Sequence, residues 1–469
     1  MDDNVFDLAA ARVEAGLSDD LDFKELAVFR RFAAAMQDKL AYDHDEKRWY
    51  IWNGDIWKKD LSGRAEESFI DFVEAERARV TSDEDDLALS RLKFWGSVER
   101  SARFDKRLAV HSAMWDADGW LVGTPGGVID LRTGSLRPTN PRDYIQKSTL
   151  CAIGPADGPS PIWTAFLAEA TNGDKDLQAF LQRWIGYCLT GQVSEELLAF
   201  IYGDGGNGKG VFAGAIAAVF GDYAVAVPMD AFAADSRKPQ EYYVAQMLGA
   251  RMVTATETES GRHWDEAQIK ELTGNETPIS ARHPYGRPFT FLPMFKLQFV
   301  GNHAPSLKGR SPAMERRLRI IPFNHKPPVV NLHLKEQLAA EYPAILRWIV
   351  DGALAWQAQG LGTSAVIVEA GKEYFVSQDA FGRWLEERCN LSKDLAERPG
   401  ALYTDYRSWC TTNGEIHLSN PEFAEQINRT PGCKRHKYNV WHIKGVGLKP
   451  PQSDEKQPLI DFDGQKCPF

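Results

Sequence analysis

The chain of 469 residues and 52.6 kDa carries 65 acidic residues against 55 basic ones, so its formal net charge is −10. This average excludes a protein that coats nucleic acid through its whole surface. The length corresponds to about three domains, and a hydrophobic content of 43% suffices for sizeable cores.

The cysteines and the apolar runs indicate the environment. Six cysteines lie far apart without a CxxC pair, which argues against a zinc site or a disulfide framework. The longest apolar stretch, 211–220, is about half as long as a membrane-spanning helix requires. We therefore expect a cytoplasmic protein with no membrane partner.

The charge is unevenly distributed along the chain. Residues 1–90 hold 23 acidic and 12 basic residues, whereas residues 277–319 hold eight basic residues and one acidic residue. Residues 433–449 add five basic residues and no acidic one. A charge run is usually a solvated face, so its position beside other motifs must decide its meaning.

The N-terminal third predicts a mainly helical region with short β elements. The dipeptide Asn53-Gly54 between two aromatic runs indicates a hairpin in which both turn positions have positive φ. The segment 124–138 indicates a second β element, and two helices are expected before Gly191. We assign scaffold or oligomerisation work to this region.

From residue 197 onward, short apolar strands alternate with helices. The runs LLAFIYG, RMVTATETE and FKLQFVGN fit strands, and GKGVFAGAIAAVFG fits a helix that follows the first of them. This alternation favours a parallel sheet with helices on both faces, on which nucleotides are commonly bound. Two further helices are expected after Pro322, followed by a linker at 360–365.

The segment GDGGNGKG lies between the first strand and its helix and predicts a phosphate-binding loop. Its glycines allow backbone N–H groups to converge on phosphate oxygens, and Lys209 would neutralise the β and γ phosphates. Gly210 stands where the usual motif has Ser or Thr, so an acidic residue with water holds Mg²⁺, or metal affinity is weak, or the site is inactive. The predicted nucleotide-binding residues are Gly203, Asp204, Gly205, Gly206, Asn207, Gly208, Lys209, Gly210 and Val211.

Polar residues follow the next two strands. Glu257 ends the strand RMVTAT, and a carboxylate there can hold the Mg²⁺ shell and polarise the attacking water. Glu259 is a second candidate that can equally be a turn residue. Asn302 ends the strand FKLQFVGN, where a neutral amide can sense the γ-phosphate or the water.

The basic stretch contributes two further candidate sites. Arg316 and Arg317 can reach the γ-phosphate of a neighbouring subunit, and Arg317 is preferred because Arg316 can pair with Glu315. Residues 277–293 predict a hairpin that can grip DNA phosphates and stack an aromatic ring, although it can equally pack subunits. The DNA candidates are Lys270, which can also face a nucleotide, and the hairpin residues Arg282, His283, Tyr285 and Arg287.

Five segments, taken in their order along the chain, resemble the superfamily 3 helicases, in particular the branch of phage, plasmid and poxvirus primase-helicases. The segments are GDGGNGKG, TATETE, IKELTGNETPISARHPYG, KLQFVGNHAP and ERRLRIIPF. The resemblance covers about residues 30–450. It implies an α/β fold with an AAA+-like P-loop ATPase core, a hexameric ring, and ATP hydrolysed with Mg²⁺ between subunits. It implies Lys209 as the Walker A lysine, Glu257 as the Walker B acid, Asn302 as the sensor and Arg316 or Arg317 as the finger.

The same resemblance organises the chain. It implies a mainly helical domain at 1–190, the ATPase core with its helical lid at 191–360, a winged-helix-like DNA-binding domain at 366–449, and a loose tail at 450–469. No convincing primase motif precedes the core, so we expect a separate primase or polymerase. Single-stranded and forked DNA are the expected substrates, inside the cytoplasm of a bacterial host if a phage or plasmid encodes the protein.

Two other functions remain open on sequence grounds. A P-loop phosphotransferase would need an acceptor pocket and an arginine acting within one chain, and it leaves the basic hairpin unexplained. An ATP-gated origin-binding or initiator protein would use the winged helix and would bind nucleotide without turnover.

Overall fold

The computed structural model describes residues 23–234, 240–256, 263–274, 277–302, 306–307, 311–415, 417–437 and 440–450. The chain divides into two compact units. One comprises Met1–Ala304 and Arg316–Ala370, and the other comprises Pro305–Glu315 and Gly371–Phe469. The predicted boundaries at 190 and 360 subdivide the first unit further and stay predictions.

The first unit begins with a four-stranded sheet that packs against helices. The strands lie in the order β3-β2-β1-β4, with β1 and β2 antiparallel. Phe32, Phe69 and Phe72 form an edge-to-face cluster that holds the helices together. The elements are α1 Glu25–Ala35, β1 Leu40–Asp43, β2 Arg48–Trp52, β3 Trp57–Lys59, α2 Arg64–Arg77, α3 Asp83–Leu89, α4 Leu92–Ala102 and β4 Ala109–Val110.

The hairpin predicted at Asn53-Gly54 is confirmed, because β2 and β3 pair antiparallel around it. The expected turn geometry is wrong in one respect: Gly54 has a φ of 102°, but Asn53 is not among the residues with positive φ. Asn53 instead accepts hydrogen bonds through its side chain from the backbone N–H groups of Asp55 and Ile56. These side-chain hydrogen bonds stabilise the turn, so Asn53 does not need a positive φ.

The second β element and the two helices before Gly191 are also confirmed. Three strands form an antiparallel meander in the order β5-β6-β7, and two helices follow it. The elements are β5 Leu121–Thr124, β6 Gly127–Asp130, β7 Ser135–Arg137, α5 Pro161–Ala170 and α6 Lys175–Leu189. Short 3₁₀ turns lie at Ser112–Met114 and Pro141–Asp143.

A five-stranded parallel sheet forms the centre of the unit. Its order is β14-β8-β13-β10-β9, so β9 and β10, the next two strands of this sheet along the chain, are separated from β8 by β13. The strands are β8 Leu198–Tyr202, β9 Ala224–Pro228, β10 Met252–Thr256, β13 Lys296–Gly301 and β14 Leu318–Pro322. All six residues of β13 are buried, as expected for a strand covered on both faces.

Helices cover this sheet, and one pair approaches very closely. A side chain at Gly186 would place its Cβ 2.8 Å from the Ala353 Cα, and one at Gly352 would collide with the Gln182 backbone. Glycine is therefore needed on both helices. The remaining helices are α7 Lys209–Phe220, α8 Gln240–Gln246, α9 Glu266–Thr273, α10 Pro312–Arg317, α11 Leu334–Ala340 and α12 Tyr342–Gln359, with 3₁₀ turns at Gly221–Tyr223 and Met229–Phe232.

A separate antiparallel hairpin lies between α9 and β13 in the chain. It consists of β11 Ile279–Arg282 and β12 Pro288–Phe291, which pair from Ile279↔Phe291 to Arg282↔Pro288. The hairpin predicted within 277–293 is therefore confirmed as a structural element.

The second unit combines helices with a three-stranded antiparallel sheet ordered β15-β17-β16. Its core is aromatic, with Trp384, Tyr406 and Phe423 in mutual ring contact. The elements are α13 Ala365–Ser377, which begins before the boundary, then α14 Ala380–Arg388, β15 Cys389–Glu397, α15 Pro399–Asn413, α16 Asn420–Arg429, β16 Lys434–Lys437 and β17 Trp441–Leu448. Among the described residues, no helix is long and apolar enough to span a membrane.

Candidate functional site

The loop 203–208 joins β8 to the N-terminus of α7 at the carboxyl edge of the central sheet. Gly206 and Gly208 have φ values of 83° and 82°, a left-handed conformation that favours glycine. A Cβ at Gly208 would also lie 2.9 Å from the Phe166 ring. The glycines at these positions therefore follow from the path of the loop.

Asn207 ties the loop to a neighbouring strand. Its side chain is 2% exposed and donates from Nδ2 to the backbone carbonyl of Phe323, one residue beyond β14. A Cβ at Gly203 would collide with both groups. The loop is thus clamped between β8 and the end of β14.

Lys209 and Asn302 meet directly across the carboxyl edge of the sheet. Lys209 Nζ donates to the Gly203 carbonyl at 2.7 Å and to Asn302 Oδ1 at 2.7 Å. Asn302 follows β13, which pairs with β8 in parallel register. Two residues that are 93 positions apart and were predicted separately therefore form one constellation.

The charges around Lys209 fit an anion. Partial burial lowers the pKa of the Lys209 ammonium; Asp204 acts in the opposite direction, and Lys326 lowers it further. A group with several negative charges would compensate the two lysines. Lys326, which follows β14, was missed by the sequence analysis because no motif includes it.

Gly210 lies in the first turn of α7 in open space. A Cβ built there meets no atom within 4 Å, and the residue is exposed. A serine would fit, so its absence is not imposed by packing. Asp204, Gly205 and Val211 complete the predicted loop, the first two being exposed.

Glu257 and Glu259 lie outside the described residues. Glu257 follows directly on Thr256, the last residue of β10, and Thr256 is in register with Val300 of β13. Within the described residues, no group of three or more His, Cys, Asp or Glu residues forms a metal site. The assignment of Glu257 to the metal stays a prediction.

Arg316 and Arg317 end α10, immediately before β14. Arg317 Nη2 lies 2.8 Å from Glu196 Oε2, and its side chain is 15% exposed. Arg316 is exposed. The ion pair within the chain makes Arg316 the more available of the two, and the choice of finger stays a prediction. Glu196 was not found from the sequence, because it lies 121 positions away without a motif.

The hairpin presents its predicted residues at the tip. Arg282, His283, Tyr285 and Arg287 are all exposed, and Tyr285 is fully so, with a positive φ of 61°. Arg282 Nε donates to the Gly286 carbonyl at 3.1 Å, and the His283 ring stacks on Phe289. The structure therefore brings these side chains together on one exposed turn.

Lys270 lies on α9 and not on the hairpin. Its Nζ is 3.3 Å from Glu266 Oε2, one helical turn earlier, and its side chain is 37% exposed. This pairing does not decide between the two roles predicted for Lys270.

Two family models match parts of the chain. Residues 30–172 match the model described as D5 N terminal like, and residues 201–317 match a family of unknown function, DUF5906. The first covers the N-terminal sheet and its helices, and the second covers the loop, Lys209, Asn302 and α10. Each matches less than half of the chain.

Three curated relatives are viral proteins that carry the name "Putative helicase". The chain is 29% identical over 221 residues to L207/L206 of Acanthamoeba polyphaga mimivirus, covering 45% of this chain and 22% of that protein. It is 25% identical to 022R of Frog virus 3 (isolate Goorha), over 57% of this chain and 30% of the relative. It is 25% identical to 184R of Invertebrate iridescent virus 6, over 47% of this chain and 24% of that protein.

The matched regions thus span less than a third of the curated relatives' length. Among solved structures, the apo C-terminal region of NrS-1 (305–718) is similar at 10% identity with a TM-score of 0.49, covering 92% of this chain and 100% of that one. From its own helices and sheets the chain is a mixed α/β protein, residues 30–172 match the D5 N terminal like model, and part of the sequence is similar to viral proteins named as helicases.

Proposed function

We propose that the chain is an ATP-driven DNA helicase of the superfamily 3 type, which works as a ring on single-stranded and forked DNA during replication of a virus or mobile element. The observation that carries the proposal is the contact between Lys209 and Asn302 at the carboxyl edge of a parallel sheet. Ligands of open parallel sheets bind at this edge. The names of the viral relatives support the same class of enzyme.

The loop and Lys209 bind the triphosphate of ATP. Lys209 exchanges its hydrogen bond to Asn302 for one to the β and γ phosphates, and this releases the Asn302 amide to orient the attacking water. Because Asn207 holds the loop against Phe323, the backbone N–H groups around Gly206 and Gly208 stay preorganised for the phosphates.

Glu257 is the residue that would hold Mg²⁺ and accept a proton from the water. A bound Mg²⁺ supplies charge neutralisation at the phosphate oxygens, and it retains waters readily. With Gly210 in place of a hydroxyl residue, the chain offers one protein ligand fewer at the loop. Water would take the place of that ligand.

Arg316 completes the site of the adjacent subunit. An arginine supplied across an interface stabilises charge that develops on the transferred phosphoryl group, typically by about 10³–10⁵ in rate. Arg316 is exposed at the end of α10, whereas Arg317 is engaged by Glu196 in its own chain. The ring, of six subunits by resemblance, is needed for this contact.

The hairpin tip binds the translocating strand. Arg282 and Arg287 meet backbone phosphates, and the exposed ring of Tyr285 stacks on a base or sugar. The hairpin immediately precedes β13, the strand that Asn302 follows, so the nucleotide site and the DNA contact share one segment of chain.

An ATP-gated initiator is the second candidate, because Gly210 removes a metal ligand that turnover ordinarily uses. Strand separation distinguishes the two. A forked substrate with a fluorophore and quencher is mixed with ATP and the parent chain, and with the Lys209→Ala variant as the matched control. The helicase proposal expects unwinding by the parent and none by the variant. Nucleotide-dependent DNA binding without unwinding by the parent would support the initiator instead.

A further inference from the structure

Residues 324–333 form the loop that joins β14 to α11, and both of its ends are held by elements of the nucleotide site. Phe323, directly before the loop, donates its backbone N–H to the Tyr202 carbonyl at 2.7 Å and accepts a hydrogen bond from the Asn207 side chain. Helix α11, directly after the loop, packs against α5 and against α7, which begins at Lys209. The β14–α11 loop therefore begins at the carboxyl edge of the sheet, next to the phosphate-binding loop.

The β14–α11 loop exposes large apolar side chains. Val329, Val330 and Leu332 are 80%, 69% and 85% exposed. In the described part of the chain, no other stretch of four residues exposes three large apolar side chains. Apolar surface in water is unfavourable, and contiguous patches of it commonly mark a ligand site or an interface. The three side chains therefore indicate a ligand or partner with an apolar surface.

A lysine stands between the phosphate-binding loop and these apolar residues. Lys326 is exposed. It lies close to Lys209, because burial and then the charge of Lys326 lower the pKa of the Lys209 ammonium. Two cations held near each other attract a ligand with several negative charges, such as a chain of phosphates. The start of the β14–α11 loop therefore favours phosphates, whereas its middle favours an apolar group.

A nucleotide has the same order of groups. Its phosphates carry the charge, and its base, beyond the ribose, presents two apolar faces. From Lys326 to Val329 the chain spans at most about 10 Å, which fits the separation of the phosphates and the base of one ligand. Pockets for such molecules are lined mainly by apolar side chains, with a few polar groups that fix the orientation. The order of side chains along the loop therefore selects a nucleotide over a protein partner.

We propose that the β14–α11 loop binds the base of ATP within the same chain, with Val329, Val330 and Leu332 on the faces of the adenine ring and Lys326 on the phosphates. The aliphatic contacts stabilise the bound base because they remove its apolar faces from water. This site rests on the ATP binding of the proposed function and adds the residues that hold the base. A base held by a single chain is bound without assembly of a ring.

The test compares ADP with inorganic pyrophosphate, which has two linked phosphates but neither ribose nor base. Isothermal titration calorimetry measures the binding of both ligands to the full chain, at a fixed Mg²⁺ concentration and without DNA. Neither measurement depends on turnover of ATP. A chain without ATPase or helicase activity therefore still tests the loop.

Two variants separate the base from the phosphates. The loop variant carries Val329→Ser, Val330→Ser and Leu332→Ser, and it is expected to bind ADP about tenfold or more weakly with unchanged affinity for pyrophosphate. The charge variant, Lys326→Gln, is expected to bind both ligands severalfold more weakly and by the same factor, because it removes a cation from the phosphates.

The matched control removes three exposed apolar side chains of the N-terminal region through Leu61→Ser, Leu87→Ser and Leu92→Ser, and should bind both ligands like the parent. Thermal unfolding shows whether each variant is folded, and sedimentation velocity measures self-association. The proposal is overturned if the folded loop variant binds ADP like the parent, loses both ligands equally, or loses no more affinity than the control.

The competing occupant of the loop is a second copy of the chain. Loss of self-association by the loop variant with unchanged affinity for ADP would assign the loop to that contact and overturn the proposal. A parent that binds neither ADP nor pyrophosphate contradicts the proposed function as well. Unchanged ADP binding by the loop variant contradicts the base site alone, so the two failures are distinguishable.

Discussion

The guanidinium of Arg317 is held by Glu196, at 2.8 Å between Nη2 and Oε2, while the neighbouring Arg316 is exposed. The two arginines are adjacent in sequence and end the same helix, yet they have different surroundings. One is committed to its own chain, and the other is directed to solvent. This difference favours Arg316 over Arg317 for the proposed contact with a neighbouring subunit.

We expect Arg316→Ala to lower ATP hydrolysis about 10³-fold or more with unchanged thermal stability. We expect Arg317→Ala to lower the free energy of unfolding by about 1 kcal/mol, because a partly buried ion pair is lost. Hydrolysis and thermal unfolding are measured on both variants.

Mixing Arg316→Ala chains with Lys209→Ala chains should restore part of the activity, since some of the mixed interfaces contain an intact Arg316 from one chain and an intact Lys209 from the other. Failure of rescue at every mixing ratio would contradict action across an interface.

Gly210→Ser tests why the loop lacks a hydroxyl. The space around Gly210 is open, so a serine should fit without distortion and offer Mg²⁺ a ligand. We expect the Mg²⁺ concentration that half-saturates hydrolysis to fall severalfold. Gly210→Ala is the control, because it adds the same Cβ without the oxygen; its gain in helix propensity exceeds that of serine and is read separately from thermal unfolding. An identical response of both variants would show that the hydroxyl plays no part.

Tyr285 combines full exposure with strained backbone. A non-glycine residue at a φ of 61° costs about 1 kcal/mol, so Tyr285→Gly relieves strain while it removes the ring. We expect Tyr285→Gly to weaken single-strand binding by about 1–3 kcal/mol, the value of one base stack. Tyr285→Phe retains the ring and should bind like the parent. Equal affinities of the glycine and phenylalanine variants would exclude stacking.

Lys296 predicts a pH dependence of stability. Its ammonium is buried at the start of β13, donates to the carbonyls of Thr190 and Met294 and lies 4.7 Å from the Tyr187 ring. Burial lowers its pKa to about 7. In an unfolded chain the pKa is about 10.4, so between these values the unfolded state binds more protons and stability rises with pH.

The contribution of Lys296 can be measured by itself only below about pH 8.5, because thiols of the unfolded chain begin to ionise at that pH. Burial raises the pKa of the Cys188 thiol in the folded chain to about 12. Above about pH 8.5 the unfolded chain therefore loses this proton while the folded chain keeps it, and stability falls as the pH rises. Urea unfolding of the parent from about pH 7 to about pH 8.5 should show a gain approaching about 1.4 kcal/mol per pH unit. Lys296→Met should remove that gain. An equal slope in both proteins would mean that Lys296 does not titrate there.

Much of the central sheet could be predicted from sequence, because strands buried on both faces appear as continuous apolar runs. LAFIY is of this kind, whereas KLQFV alternates apolar residues with the buried polar residues Lys296 and Gln298; both are strands. The strand LRIIP was not predicted, since the basic residues around Arg319 resemble an exposed helix end. The strand AVAVP was missed because it is only partly buried and consists of small apolar residues that resemble the end of the preceding helix.

In the candidate site, too, some contacts could be predicted from sequence and others could not. Lys209 and Asn302 could be predicted because each follows a recognisable strand at the edge where parallel strands end together. The Arg317–Glu196 pair and the Asn207–Phe323 hydrogen bond could not, because they join residues more than 100 positions apart without a motif. Long-range pairing of this kind depends on the packed structure and not on local pattern.

The central claim is that Lys209 and Asn302 form one ATP-hydrolysing site coupled to DNA. Its most direct test is the rate of ATP hydrolysis with and without single-stranded DNA, for the parent, Lys209→Ala and Asn302→Ala. The account predicts hydrolysis by the parent that rises with DNA, no hydrolysis by Lys209→Ala, and retained ATP binding without DNA-stimulated hydrolysis by Asn302→Ala. The account would be contradicted if DNA did not change the rate of hydrolysis by the parent, or if the Lys209→Ala variant still hydrolysed ATP.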